Sequence, residues 1–216
     1  MLNLRYWTER FRTASVTGVA RPKNFDEERA LDAAMRAFWV NGYHATSTQD
    51  LCDATGLGRS SIYNTFTSKH ELFTRALTRY LEAMTARQLE VLEDSAKSPL
   101  ERIRALFDLL LAGEEENRRG DRGIGCLTVN TVVELGGADP ATARLIERDQ
   151  DRRMTALRAV IARGQRDGEI RATRDADQLA RFLNSVVAGI RVAGQSGADR
   201  DVLAGIAATA LDALVA

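Results

Sequence analysis

The stretch from Thr46 to Glu71, TSTQDLCDATGLGRSSIYNTFTSKHE, decides how this chain is read. Thr46 and Gln49 fit a capping box, in which each side chain satisfies an orphan backbone donor at a helix start. Leu51 and Cys52 are the apolar positions of that helix. Gly56 stands where the chain leaves it, because glycine reaches a positive φ without steric cost. Leu57 turns inward, and a second helix starts near Arg59. Ser68 and Glu71 form another capping box and open a third helix. Two short helices around a tight turn make a helix-turn-helix, whose second helix is held out as a probe for the DNA major groove.

Working toward the N-terminus, Leu31, Ala34, Met35 and Phe38 mark one face of a helix that starts at Asp26 and stops at Asn41-Gly42. Residues 1–24 have no clean period and read as an extension. Within residues 1–25, Arg5, Arg10, Arg12, Arg21 and Lys23 face Glu9 alone. This is either a basic arm laid along phosphates or in a minor groove, or a solvated tail.

Working toward the C-terminus, Leu72, Phe73, Ala76, Leu77, Tyr80, Leu81 and Met84 recur at helical spacing, so a long helix runs past Leu89. Ser98-Pro99 opens another, with Ile103, Leu106, Phe107, Leu110 and Leu111 inward. Arg118 to Gly125 is a loop. A short apolar helix follows from Cys126 to Leu135, and Asp139-Pro140 starts one that runs to Asp167-Gly168 with Met154, Leu157 and Ile161 inward. Leu179, Phe182, Leu183, Val186, Val187 and Ile190, then Leu203, Ile206, Ala207, Ala210, Leu211 and Leu214, each give a wide apolar stripe. Two such helices joined by a short turn either complete the monomer core or, paired across a two-fold axis, make a four-helix homodimer interface; the dimer is expected, because a palindrome-reading helix-turn-helix needs two-fold symmetry.

The expected fold is all-α, with about nine helices. An extension covers residues 1–24, a DNA-binding unit 25–72, and a ligand-binding and dimerisation domain 73–216. Composition agrees: 216 residues, 44% hydrophobic, three prolines and few β-branched or aromatic runs. Net charge is zero, so bulk charge gives no support for nucleic-acid binding. No apolar run approaches the ~20 residues of a membrane span, and no signal peptide is visible. A cytoplasmic location is the expectation. Two cysteines and two histidines at these spacings form neither a disulfide framework nor a metal pattern, and no cofactor is implied.

From Arg21 to Phe73 the chain resembles the TetR family of bacterial transcriptional regulators. Gly42-Tyr43, Thr46-Ser47, Gly56, Ile62-Tyr63, Phe66 and Ser68-Lys69 follow the family order; the remainder is similar only in helix number, length and order. The resemblance implies a homodimeric repressor of a palindromic operator, released by a small-molecule effector bound in a divergent C-terminal domain. The match begins at Val19-Ala20-Arg21-Pro22, where relatives commonly begin with Met. Translation from a GTG codon at Val19 is therefore expected.

The expected DNA contacts are Arg21, Lys23, Thr46, Ser47, Thr48, Arg59, Ser60, Ser61, Tyr63, Asn64 and Lys69. Arg59 reaches a guanine edge or a phosphate, Ser61 a base or the backbone, and Asn64 an adenine or phosphate. Tyr63 resembles the family tyrosine that donates to phosphate. Thr46, Ser47 and Thr48 sit at a helix start that favours phosphate. Lys69 is a cation in a helix first turn, a conflict that a nearby phosphate resolves. Ile62 and Phe66 face inward.

Among the later helices, Phe107, Leu111, Cys126, Asn130, Glu134, Met154, Arg158, Phe182 and Val186 are the candidate pocket residues, a mix suited to a largely apolar effector with one or two polar groups, although core packing explains most of them as well. Cys126, in GCLTVN, resembles the GCL stretch of relatives that sense electrophiles through a cysteine, with Arg122 nearby; the competing reading is a buried core thiol. Two other functions compete with the repressor reading. A small all-α enzyme lacks any Ser-His-Asp, metal or phosphate-loop constellation, and both histidines fall inside the DNA-binding unit. A ligand-independent DNA binder does not need so long a helical C-terminal region.

Overall fold

The computed structural model describes residues 26–119 and 124–215. Among them are nine helices and no strand: α1 (Glu27–Asn41), α2 (Thr48–Thr55), α3 (Arg59–Phe66), α4 (Lys69–Leu92), α5 (Pro99–Arg119), α6 (Leu127–Leu135), α7 (Pro140–Asp167), α8 (Ala176–Gln195) and α9 (Arg200–Val215). The extension, its basic arm with Arg21 and Lys23, the start at Val19, and Arg122 lie outside the described residues.

Helix ends follow local chemistry. The Asp26 carboxylate accepts from the backbone N–H groups of Glu28 and Arg29 at 3.1 and 3.2 Å. Gly42 ends α1 at φ 80°. The capping box of α2 sits one residue later than the sequence predicts. Ser47 Oγ accepts from Asp50 N at 3.1 Å, and Asp50 Oδ2 accepts from Ser47 N at 2.7 Å. Thr46 instead points inward, and its hydroxyl donates to the Gly42 carbonyl at 2.5 Å. It thereby satisfies an acceptor at the end of α1. Gly56 closes α2 in the left-handed region, at φ 70°. At the start of α4, Ser68 Oγ accepts from Glu71 N at 3.0 Å. Ser68's own N–H is spent on the Phe66 carbonyl at 2.5 Å.

The helices bury two apolar clusters. One joins Leu31, Ala34 and Phe38 of α1, Leu51 of α2, Ile62 and Phe66 of α3, and Leu72 to Leu81 of α4. The same cluster takes in Cys126, Leu127 and Leu135 at α6, and Ile146 of α7. The other joins Leu92 with the inward faces of α5, α7, α8 and α9. Helix α4 therefore serves both. A polar seam lies between them, where Thr85 Oγ1 donates to Asp149 Oδ1 at 2.6 Å and Arg153 Nε donates to Asp149 Oδ2 at 3.1 Å. Helix α1 is strapped to α4 by Arg75–Glu27 and Arg79–Asp32 ion pairs, each 2.5 Å.

Candidate nucleic-acid interface

Helix α3 is anchored from one side. Ile62 and Phe66 are buried, while Arg59, Ser60, Tyr63 and Asn64 are exposed and Ser61 and Thr48 are half-buried. Burying an aromatic such as Phe66 secures the helix by several kcal/mol, about 3–5 on truncation to alanine. The outer face carries donors of the types that read base edges and phosphates.

Tyr63 and Thr48 bring α3 and the start of α2 together, with hydroxyl oxygens 3.2 Å apart. Hydrogen bonding from Thr48, and secondly from Arg59, draws the Tyr63 phenol below its ordinary pKa. A more acidic phenol is a better donor to an anion. Ser47 Oγ, exposed beside Thr48, accepts from Asp50 N. Hydrogen bonds to the Asp50 carboxyl, first from the Ser47 side chain and then from the Ser47 backbone N–H, hold it below the usual carboxylate range. Thr46 departs from the exposed position expected of a DNA contact: it is buried, and its hydroxyl is given to the Gly42 carbonyl.

Lys69 has contacts that the sequence reading did not foresee. Its ammonium lies 4.5 Å from the centre of the Tyr43 ring and donates to the His44 carbonyl at 3.4 Å. These two contacts offset much of the cost of a cation at a helix start.

The turn between α1 and α2 is gripped from the C-terminal region. Glu134 Oε2 accepts from Tyr43 N at 2.8 Å and Glu134 Oε1 from His44 N at 2.7 Å. A few residues on, Asp139 Oδ2 meets His70 Nε2 at 2.6 Å. Asp139 also caps α7, accepting from Ala141 N, Thr142 N and the Thr142 hydroxyl. Thr142 first, then His70, hold its carboxyl well below the usual range. Trp39 Nε1 donates to the Gly125 carbonyl at 3.1 Å.

The nine candidate pocket residues do not converge. Glu134 spends both oxygens on the turn. Cys126 is buried at the start of α6, where it accepts from the Tyr80 hydroxyl at 3.5 Å. Asn130 donates to the Ile124 carbonyl at 3.0 Å. Phe107 belongs to the core, with Leu111 and Val186 packed at its edge. Arg158 is at the surface, paired with Asp177 at 3.0 Å, and Phe182 is 42% exposed. Met154 alone of the nine lines a small cleft, together with Gln88, Leu92, Leu106, Arg153, Leu157, Asn184 and Val187. Its polar members Gln88, Arg153 and Asn184 were missed. Each flanks an apolar stripe, and that position was the available signal. The cleft has an inner volume of about 20 Å³, room for about one water.

A family profile described as bacterial regulatory proteins, tetR family, matches residues 30–76. A second, described as Tetracyclin repressor-like, C-terminal domain, matches residues 99–210. The chain belongs to the TetR family of transcriptional regulators. Among its relatives in that family, the HTH-type transcriptional repressor ComR of Escherichia coli (strain K12) is 34% identical over 194 residues, 88% of this chain and 90% of the relative. The regulator YezE of Bacillus subtilis (strain 168) is 32% identical over 186 residues, 86% of this chain and 94% of its own. Among solved structures, a cysteine mutant of the TetR family regulator CifR, complexed with 26 bp double-strand operator DNA, superposes with a TM-score of 0.76 at 30% identity. That match covers 89% of this chain and 99% of CifR. As TetR-family members, this chain and its relatives are transcriptional regulators rather than enzymes.

Proposed function

We propose that the chain is a cytoplasmic repressor that binds an inverted-repeat operator as a homodimer and lets go when a small, largely apolar effector enters its C-terminal region. The observation that carries the reading is the α3 face: Ile62 and Phe66 locked inside, Arg59, Ser60, Tyr63 and Asn64 outside. Arg59, Ser60, Ser61 and Asn64 read bases, and Ser47, Thr48, Tyr63 and Lys69 hold phosphates. That ComR is named a repressor and CifR is seen on operator DNA supports the same direction. Among the described residues no helix is long and apolar enough to cross a membrane.

The dimer forms through α8 and α9. Phe182, Val192 and Val202 leave apolar side chains exposed on these helices, which a partner copy would cover. The effector acts by differential affinity. A cleft with room for one water accepts a larger molecule only if α4, α5, α7 and α8 part, and α4 carries the reading unit at its other end.

The test is selection of duplexes from a random pool with the purified full chain. The expected product is an inverted repeat whose half-site centres lie about one helical turn apart or a multiple of it. Failure to select any sequence at low ionic strength overturns the reading.

A further inference from the structure

Glu134 and Asp139 stand at the two ends of the α6–α7 connection, and both face the DNA-reading unit rather than a pocket. Glu134 lies over a stretch of bare backbone. A Cβ built on Gly42 would come 2.8 Å from Glu134 Oε2, so in its present position the carboxylate packs directly against the bare backbone of residue 42. The Tyr43 and His44 amides then point at its two oxygens, 2.8 and 2.7 Å away. His44 is held from both sides: its N–H by Glu134, its carbonyl by Lys69. Asp139 takes His70, the residue after Lys69, in the first turn of α4. The Tyr43 ring packs between these points, with centroids 6.1 Å from His70 and 4.9 Å from Phe73.

We propose that Glu134 and Asp139 are positioning residues for operator binding: a two-carboxylate clamp by which the α6–α7 connection sets the aim of the recognition helix without touching DNA. This rests on the reading of the chain as a dimeric operator binder. Each head of a dimer must meet its own half-site at a fixed separation. A head freed to swivel pays an ordering cost on a palindrome that it does not pay on one half-site. The clamp contributes no phosphate contact, so its loss leaves the salt dependence of binding untouched.

The experiment uses the full chain with E134Q, which keeps one acceptor oxygen and turns an amide NH2 toward a backbone N–H. The probes are the duplex selected by the wild-type protein and the same duplex cut to one half-site. The expected result is roughly 3- to 30-fold weaker binding to the palindrome, with half-site affinity and the salt slope as in wild type. Wild-type affinity for both duplexes, or an equal loss on both, overturns the clamp while leaving the operator reading intact. A wild-type protein that selects no duplex overturns both. If E134Q loses its helical circular dichroism, H70A takes its place on the other arm and is read the same way. Should both variants unfold, the carboxylates hold the fold rather than the aim, and the proposal falls.

Discussion

The Tyr63 phenol meets the Thr48 hydroxyl at 3.2 Å and is 39% exposed, so a single oxygen both ties α3 to α2 and faces outward. Removing it with Y63F is expected to weaken binding about fivefold, near 1 kcal/mol. The loss should be similar on every duplex, with an unchanged salt slope, in anisotropy titrations. Replacing Lys69 by Gln should instead reduce that slope by about one. At this scale the sequence was legible wherever period and type agreed, as for Ile62 and Phe66 inside and Arg59 and Asn64 outside. It was not legible at Thr46. Three adjacent hydroxyls let Thr46–Gln49 and Ser47–Asp50 satisfy the same spacing, and only burial separates them. Glu134 was misplaced for a different reason. Its partners Tyr43 and His44 lie about ninety positions away, and no local pattern reports such a pairing.

Helix boundaries were legible because they rest on short-range chemistry: Asp26, Gly42, Gly56, Asp139-Pro140 and Gly168 all stand where expected. What each helix face meets was less so. Arg191 on α8 and Glu114 on α5 interrupt apolar faces, yet they are side chains only 7% and 4% exposed, paired at 2.8 Å. Burial raises the Glu114 carboxyl against the pull of Arg191. Replacing Arg191 by Met leaves that carboxylate buried and unpaired, and should cost about 3–5 kcal/mol in denaturant unfolding. The sign with pH follows. Without Arg191 the folded carboxyl is raised further above its unfolded value of about 4.3, so the folded state binds the extra proton. The variant's deficit should therefore shrink toward pH 5 and grow toward pH 8.

For the molecule as a whole, the exposed Phe182 offers a test of the proposed α8–α9 interface apart from folding. With 42% of its surface open, F182E should leave the monomer's melting temperature within a few degrees of wild type. It should shift sedimentation from dimer to monomer and weaken palindrome binding at least tenfold, to roughly that of one half-site; an unchanged dimer would place the two-fold interface elsewhere. Amphipathic periodicity revealed α8 and α9 as wide apolar stripes, but periodicity alone does not say which part of a stripe the monomer covers. The first apolar cluster carries its own consequence for engineering. Cys126, Leu127, Leu135 and Ile146 complete the packing around Phe38, Phe73 and Tyr80, so the reading head does not end where α3 ends. A chimera that exchanges only residues 25–72 between relatives would inherit a mismatched seam. A transplant that carries α6 and the first turns of α7 along with the head would keep the joint whole.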